Sequence, residues 1–145
     1  MKIVNRRSLV FGLVLALMSS FAAFADDDFA EKHIVLQISD TSRQQLVLNV
    51  ANNLINHYGP DNVQIEIVAF SSGLKLLFKN NEISSPRIDS LASNGVKFSA
   101  CGNTLKKMTQ KMGKKPALQK NSIVVSAGVV RIIDLIDQGY TLIKP

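Results

Sequence analysis

"HIVLQISDTSRQQLVLNVANNLINHYGPDNVQIEIVAF", residues 33–70, changes its hydrophobic period twice. His33 to Ser39 is a near-continuous β-branched and apolar run, the pattern of a strand buried on both faces. Leu46, Val47, Val50, Ala51, Leu54, Ile55 and Tyr58 then recur at steps of three and four, which predicts an amphipathic helix. Ser42 followed by Gln45 fits a capping box at its start, and Gly59-Pro60 ends it. Asn62 to Phe70 alternates and then turns wholly apolar, giving a second strand.

The same alternation continues to the C-terminus. Ser71-Ser72-Gly73 reads as a turn into a short helix around Leu74 to Phe78, and Ser85-Pro86 as N-cap and first residue of another helix that stops at Asn94-Gly95. Val96 to Ala100 is a third strand, Cys101 to Thr104 the turn after it, and Leu105, Met108 and Met112 mark one face of a helix for which Asn103 is the expected N-cap. Ser122 to Gly128 is a fourth strand and turn. Val129, Ile132, Ile133 and Ile136 line a helix ending at Gly139, and Tyr140 to Ile143 is a short last strand. Strands that alternate with helices predict an α/β fold: a doubly wound, mainly parallel five-stranded sheet with helices on both faces. The expected strand order is the common 2-1-3-4-5.

Ahead of this domain, Lys2, Arg6 and Arg7 precede an uncharged stretch from Ser8 to Ala25, followed by Asp26, Asp27 and Asp28. This is the layout of a secretory signal peptide, with Ala23-Phe24-Ala25 as an A-x-A cleavage site. The expected organisation is therefore a signal peptide over residues 1–25 and a single α/β domain over 26–145, exported to the periplasm. A retained membrane anchor is the rival reading, because the uncharged run approaches the roughly 18-residue lower limit for a span; after cleavage no membrane association is expected. The leader takes three of the 17 Lys and Arg residues and none of the 11 Asp and Glu residues, so the net charge falls from +6 to +3. What basicity remains is concentrated in "KKMTQKMGKKPALQK", Lys106 to Lys120, which holds six lysines and no acid. In an exported chain this is a poor argument for nucleic acid. It reads either as a solvated helix face or as a local field for an anion or an acidic partner.

In an open α/β sheet, ligands bind beyond the carboxyl ends of the strands, where the strand order reverses. The residues expected there are Asp40, Ser72 and Gly73, Cys101 with Gly102, Asn103 and Thr104, and Ser126 with Gly128. With the order 2-1-3-4-5 the reversal falls between the first and third strands, and Cys101 stands at its edge. Asp40 reads first as the N-cap of the following helix and only second as an acid at the crevice, and Ser126 shares that ambiguity. Cys101 is the chain's one cysteine, so an intramolecular dithiol cycle is excluded and an oxidoreductase acting through mixed disulfides is disfavoured. A thiol before a helix N-terminus and near lysines can have its pKa lowered; a lone cysteine can also pack as a small hydrophobe, and the residues leave both open. His33 and His57 read as structural. No zinc-ligand spacing and no phosphate-cradling glycine loop occurs, and neither metal nor cofactor is expected.

"HIVLQISD", "NVQIEIVAFSSGLKLL", "GVKFSACGNT" and "SAGVVRIIDLIDQGYTLIKP", in that order and spacing, resemble the DsrE/DsrF-like family, in particular its small exported branch. The resemblance implies a doubly wound α/β fold that commonly assembles into homo- or hetero-oligomers, so a homo-oligomer is expected. In the sulfur-relay members of that family a cysteine at the end of the third strand accepts sulfur as a persulfide and passes it to a partner protein, and Cys101 is the matching position. The expected function is thus a sulfur carrier, with a small sulfane-sulfur donor or a partner carrier protein and sulfurtransferase-like activity. The alternative is a non-catalytic oligomeric module that binds a small anion or a partner protein, with Cys101 structural.

Overall fold

The computed structural model describes residues 32–145; the leader, its cleavage site and residues 26–31 lie outside the described residues. Strands β1 (Lys32–Ile38) and β2 (Val63–Ala69) pair in parallel, with Ile34 opposite Ile65 and Ile38 opposite Ala69. Helix α1 (Gln44–Tyr58) connects them and buries Val47, Ala51 and Ile55 of the predicted stripe together with Leu48, which the spacing did not include, while Leu46 is exposed. Its entry differs from the expected capping box. The Asp40 carboxylate accepts the Ser42 N–H at 2.8 Å and opens a 3-10 turn over Thr41–Arg43, so Ser42 is not the cap.

A 3-10 segment, Ser71–Leu77, leads through a loop to α2 (Ser85–Ser93), β3 (Lys97–Cys101), α3 (Gly102–Met112), β4 (Ser122–Val125), α4 (Gly128–Asp137) and β5 (Thr141–Ile143). Two boundaries move by one or two residues with consequences for the site. Ser84, not Ser85, precedes α2. β3 runs one residue further than its apolar pattern suggests, so Cys101 both ends the strand and occupies the N-cap position of α3 expected for Asn103.

All five strands are parallel, and their order is 4-3-2-1-5. This corrects the expected 2-1-3-4-5, and the reason lies in which face each helix covers. Ile34, Leu36 and Ile38 of β1, Ile65 and Ile67 of β2, and Phe98 and Ala100 of β3 share one core with residues of α1, α2 and α3. Val35 and Val68 point the other way and pack against Ile132 and Leu135 of α4. Crossovers between parallel strands are right-handed, so three successive connections on one face step the sheet in a single direction, from β1 to β4. Only the connection through α4, on the opposite face, turns back and sets β5 beside β1. The strand order therefore reverses between β1 and β5, while the connections leaving the carboxyl ends of the neighbouring strands β3 and β4 part to opposite faces of the sheet and open a crevice there. The larger layer dominates stability: Leu36, Ile67 and Phe98 are at most 1 % exposed, and full burial of such a side chain contributes about 1.5–3 kcal/mol. Among the described residues no helix is long and apolar enough to cross a membrane.

Candidate functional site

Cys101 sits at the carboxyl end of β3, directly beside the crevice where the connections after β3 and β4 part. Side chains alternate along a strand, so Ala100 enters the large core while Ser99 and Cys101 face α4. The register places Cys101 opposite Val125, the last residue of β4. The chain then turns through Ser126 and Ala127 into α4 and returns over the sulfur at Gly128. A Cβ built on Gly128 would stand 3.2 Å from the Cys101 Cβ and 3.2 Å from a Phe70 ring carbon. The missing side chain is what lets this backbone lie against the thiol. Gly102 answers a second close approach, since a Cβ there would stand 2.8 Å from the Val125 carbonyl oxygen.

The thiol makes no capping hydrogen bond within its own helix, yet polar hydrogens converge on it. Burial pushes its pKa up and is the largest single influence. The Thr104 hydroxyl, then the N–H groups of Gly128, Thr104 and Asn103, favour the thiolate and together outweigh burial, so the pKa lies below the ordinary thiol value. The contribution of Gly128 comes from the first turn of α4, so two helix N-termini face one sulfur.

Thr104 is held for this task from behind. Its Oγ1 accepts the Ser71 N–H at 3.1 Å, which engages a lone pair and leaves the hydroxyl proton for the sulfur. Ser71 reaches this position at φ +51°, the one non-glycine residue with positive φ among the described residues. Such a conformation costs on the order of 1 kcal/mol and is sustained here by the surrounding turn.

The other expected site residues separate into a different cluster. The Asp40 carboxyl is exposed and is held below the usual carboxylate range by the Ser42 N–H and then the Ser42 hydroxyl, which is the role of a cap. The Ser72 hydroxyl donates to the Ser39 carbonyl at 3.3 Å and accepts the Thr41 N–H at 3.2 Å, tying the ends of β1 and β2 together. A Cβ on Gly73 would stand 2.5 Å from the Ile38 carbonyl oxygen, so that glycine serves close backbone packing. Ser126 is exposed beside Gly102. The structure thus gathers Cys101, Gly102, Asn103, Thr104 and Gly128, while Asp40, Ser72 and Gly73 shape the neighbouring turns. His33 packs its ring against Tyr140 with centroids 5.2 Å apart, at the far end of β1 from Cys101. Among the described residues no group of three or more His, Cys, Asp and Glu side chains lies together as a metal site would require.

Sequence reading missed one constellation. Glu66, 1 % exposed in the middle of β2, accepts from Arg131 Nε at 2.8 Å and Arg131 Nη2 at 2.7 Å, and from the Ser99 hydroxyl at 2.6 Å. Burial raises its pKa, but the Arg131 hydrogen bond, the Ser99 hydroxyl and the Arg131 and Lys97 charges more than offset this and hold it ionised. Arg131 lies three residues beyond Gly128, so this pair fastens to the sheet the same turn of α4 whose N–H faces the sulfur. The signals were a lone acid within "VQIEIVA" and a lone base within "GVVRII".

The sequence pattern of the DsrE/DsrF-like family matches residues 32–145. A solved structure of a protein of unknown function from Methanobacterium thermoautotrophicum is 32 % identical, covers 79 % of this chain and 99 % of its own, and superposes with a TM-score of 0.69. A conserved protein of unknown function from Bacteroides thetaiotaomicron shares the fold at 10 % identity, with a TM-score of 0.52 over 81 % of this chain and 98 % of its own. No curated protein matches the sequence.

Proposed function

The chain belongs to the DsrE/DsrF-like family, a family linked to sulfur relay, and on that premise we propose that it carries sulfur as a persulfide on Cys101. The observation that carries this reading is the convergence of the Thr104 hydroxyl and three N–H groups on a sulfur whose pKa is thereby lowered. Such a setting favours an anionic sulfur, whether thiolate or persulfide. Loading needs no redox partner. The Cys101 thiolate attacks the outer sulfur of a donor such as thiosulfate, a new S–S bond forms to Sγ, the donor's own S–S bond breaks, and sulfite leaves with the electron pair. Delivery is the same displacement, with an acceptor thiolate attacking the outer sulfur. Lys106 and Lys107, one turn along α3, bias the field toward anionic donors. Cys101 is only 6 % exposed, which favours a small donor over a bulky one.

The signal-peptide layout of residues 1–25 supports a periplasmic setting for this chemistry, and the reading includes a homo-oligomer. Support for the oligomer is a set of apolar side chains on the α4 side of the sheet, Ile123 on the edge strand β4 with Val129, Val130 and Ile133 on α4, all at least half exposed. Apolar exposure of this kind at an edge strand is typical of surfaces covered by another chain, here a second copy.

Intact mass after exposure to thiosulfate tests the carrier: wild type gains one sulfur atom, released by dithiothreitol, and Cys101→Ser gains none. A wild type that gains nothing, or a Cys101→Ser variant that gains equally, sinks the reading. The same burial of Cys101 favours a second reading, a non-catalytic binding module in which the thiol is packing. Slow alkylation with an ordinary thiol pKa would establish that one.

A further inference from the structure

The lysine-rich stretch "KKMTQKM" is not accounted for by the sulfur. On α3, Thr104, Lys107, Met108, Lys111 and Met112 recur at steps of three and one, which aligns them on one face of the helix. That face does not close onto the core. Across from it stand the 3-10 segment and Phe78, and between the two walls lies a cleft of about 750 Å³, within the roughly 300–1,000 Å³ of small-molecule sites.

The lining is divided by chemistry. Phe70, Phe78 and Met108 are half-buried and form the apolar part, joined by Met112, which is 50 % exposed. Methionine at such a surface adapts to irregular apolar ligands. Lys75 on one wall, with Lys107 and Lys111 on the other, are exposed and supply three positive charges, and no Asp or Glu lines the cleft. None of the three lysines forms an ion pair with a carboxylate among the described residues. Ser71, Ser72 and Thr104 also line the cleft.

We propose that this cleft binds an organic anion with an apolar body, a medium-chain carboxylate or sulfonate, its chain against Phe70, Phe78, Met108 and Met112 and its charge among the lysines. A small inorganic anion would leave the apolar part unused. An uncharged hydrocarbon would leave three cations uncompensated. The concavity suits a single molecule better than a bilayer surface, which is flat. The proposal stands apart from the carrier reading, because it needs neither a reactive thiol nor a persulfide.

Two of the chain's four methionines line the cleft, so a spectrum of the full chain labelled at methionine methyl groups reads it directly, with Met108→Leu assigning the signals. Titration with laurate is expected to shift the Met108 and Met112 signals saturably. Dodecyltrimethylammonium, with the same tail and opposite charge, and acetate, with the charge and no tail, are expected to leave them in place. In a Lys75→Glu, Lys111→Glu double variant laurate affinity falls about tenfold, as two surface attractions are replaced by repulsions. Four results would overturn the proposal: no shift with laurate, an equal shift with the cationic detergent, an equal shift with acetate, or undiminished affinity in the double variant. Binding to phosphatidylglycerol vesicles without saturable laurate binding would also overturn it, in favour of a membrane surface.

Discussion

Replacing Thr104 with valine removes one oxygen and nearly preserves side-chain shape. In the folded protein that oxygen does two things: it accepts the Ser71 N–H at 3.1 Å, and its proton is the largest of the influences that favour the Cys101 thiolate. The first loss is felt equally by thiol and thiolate, and because Ser71 is exposed water replaces the partner at a cost of about 1 kcal/mol or less. The second loss falls on the thiolate alone. A hydrogen bond to a charged group is worth about 1.5–3 kcal/mol, and the absence of full capping geometry at the sulfur places this one at the low end. About 1.4 kcal/mol is a tenfold change in the ionisation constant, so at pH below both pKa values the thiolate fraction, and with it the rate of alkylation by iodoacetamide, should fall about tenfold.

The assay is the alkylation rate of wild type and Thr104→Val against pH, with unfolded protein as the reference for an ordinary thiol. The stability of the two proteins gives an independent check through linkage. Because the folded pKa is lowered, the thiol contributes stability that is fully present above the unfolded pKa and is lost as pH falls through the folded one. Wild type should therefore gain stability over Cys101→Ala as pH rises through that window, and Thr104→Val should gain less. An alkylation profile in which Thr104→Val overlays wild type would refute the reasoning, since the hydroxyl would then contribute nothing to the sulfur's charge.

Arg131→Met leaves the carboxylate of Glu66 buried without its partner, and urea unfolding near neutral pH should show a loss of about 3–5 kcal/mol. The folded pKa of Glu66 is lowered, so the stability the pair contributes is present above the unfolded carboxylate pKa and disappears as pH falls through the folded one; the gap between wild type and variant should narrow in acid, and a constant gap would count against the pair. Val130→Asp puts a charge among the exposed apolar side chains of α4, where Val130 is 50 % exposed, and light scattering should show a smaller particle than wild type with an unchanged melting profile at low concentration; an unchanged mass would exclude this face from the oligomer.

Periodicity carried the elements because burial dictates it. "HIVLQIS" must be apolar on both sides if helices cover both faces, and the three- and four-residue steps from Leu46 to Tyr58 have no meaning outside a helix. The strand order was not legible. It depends on which face each crossover helix covers, and a strand buried on both faces looks the same from either. Val35 and Leu36 are equally buried, yet one meets α4 and the other belongs to the core of α1, α2 and α3. Cys101 and its turn were legible because they end a strand and begin a helix under either order. Gly128 stood among the expected site residues, but its contact with the sulfur was not foreseeable, because β4 lies beside β3 in either order and what brings residue 128 onto residue 101 is that α4 covers the face opposite α3.

The corrected order also explains why the thiol is tuned from two directions. With the order 2-1-3-4-5 the reversal would lie between β1 and β3, and Asp40 would be the residue facing Cys101 across the crevice, a negative charge that opposes ionisation of the thiol. With the order 4-3-2-1-5, β2 separates β1 from β3, Asp40 is spent on its own 3-10 turn, and the residue facing Cys101 is Gly128, which brings an N–H and no charge. That N–H is only as well placed as the helix that carries it. α4 is the single helix on its face, and its contacts run to β1, β2, β3 and β5 while four of its apolar residues are exposed. The Arg131–Glu66 pair supplies a directional fastening that the small core of Val35, Val68, Ile132 and Leu135 does not. A buried ion pair is weak evidence for stability by itself; its placement one turn from Gly128 makes positional definition of the sulfur's surroundings the better account of why an acid stands in the middle of an apolar strand.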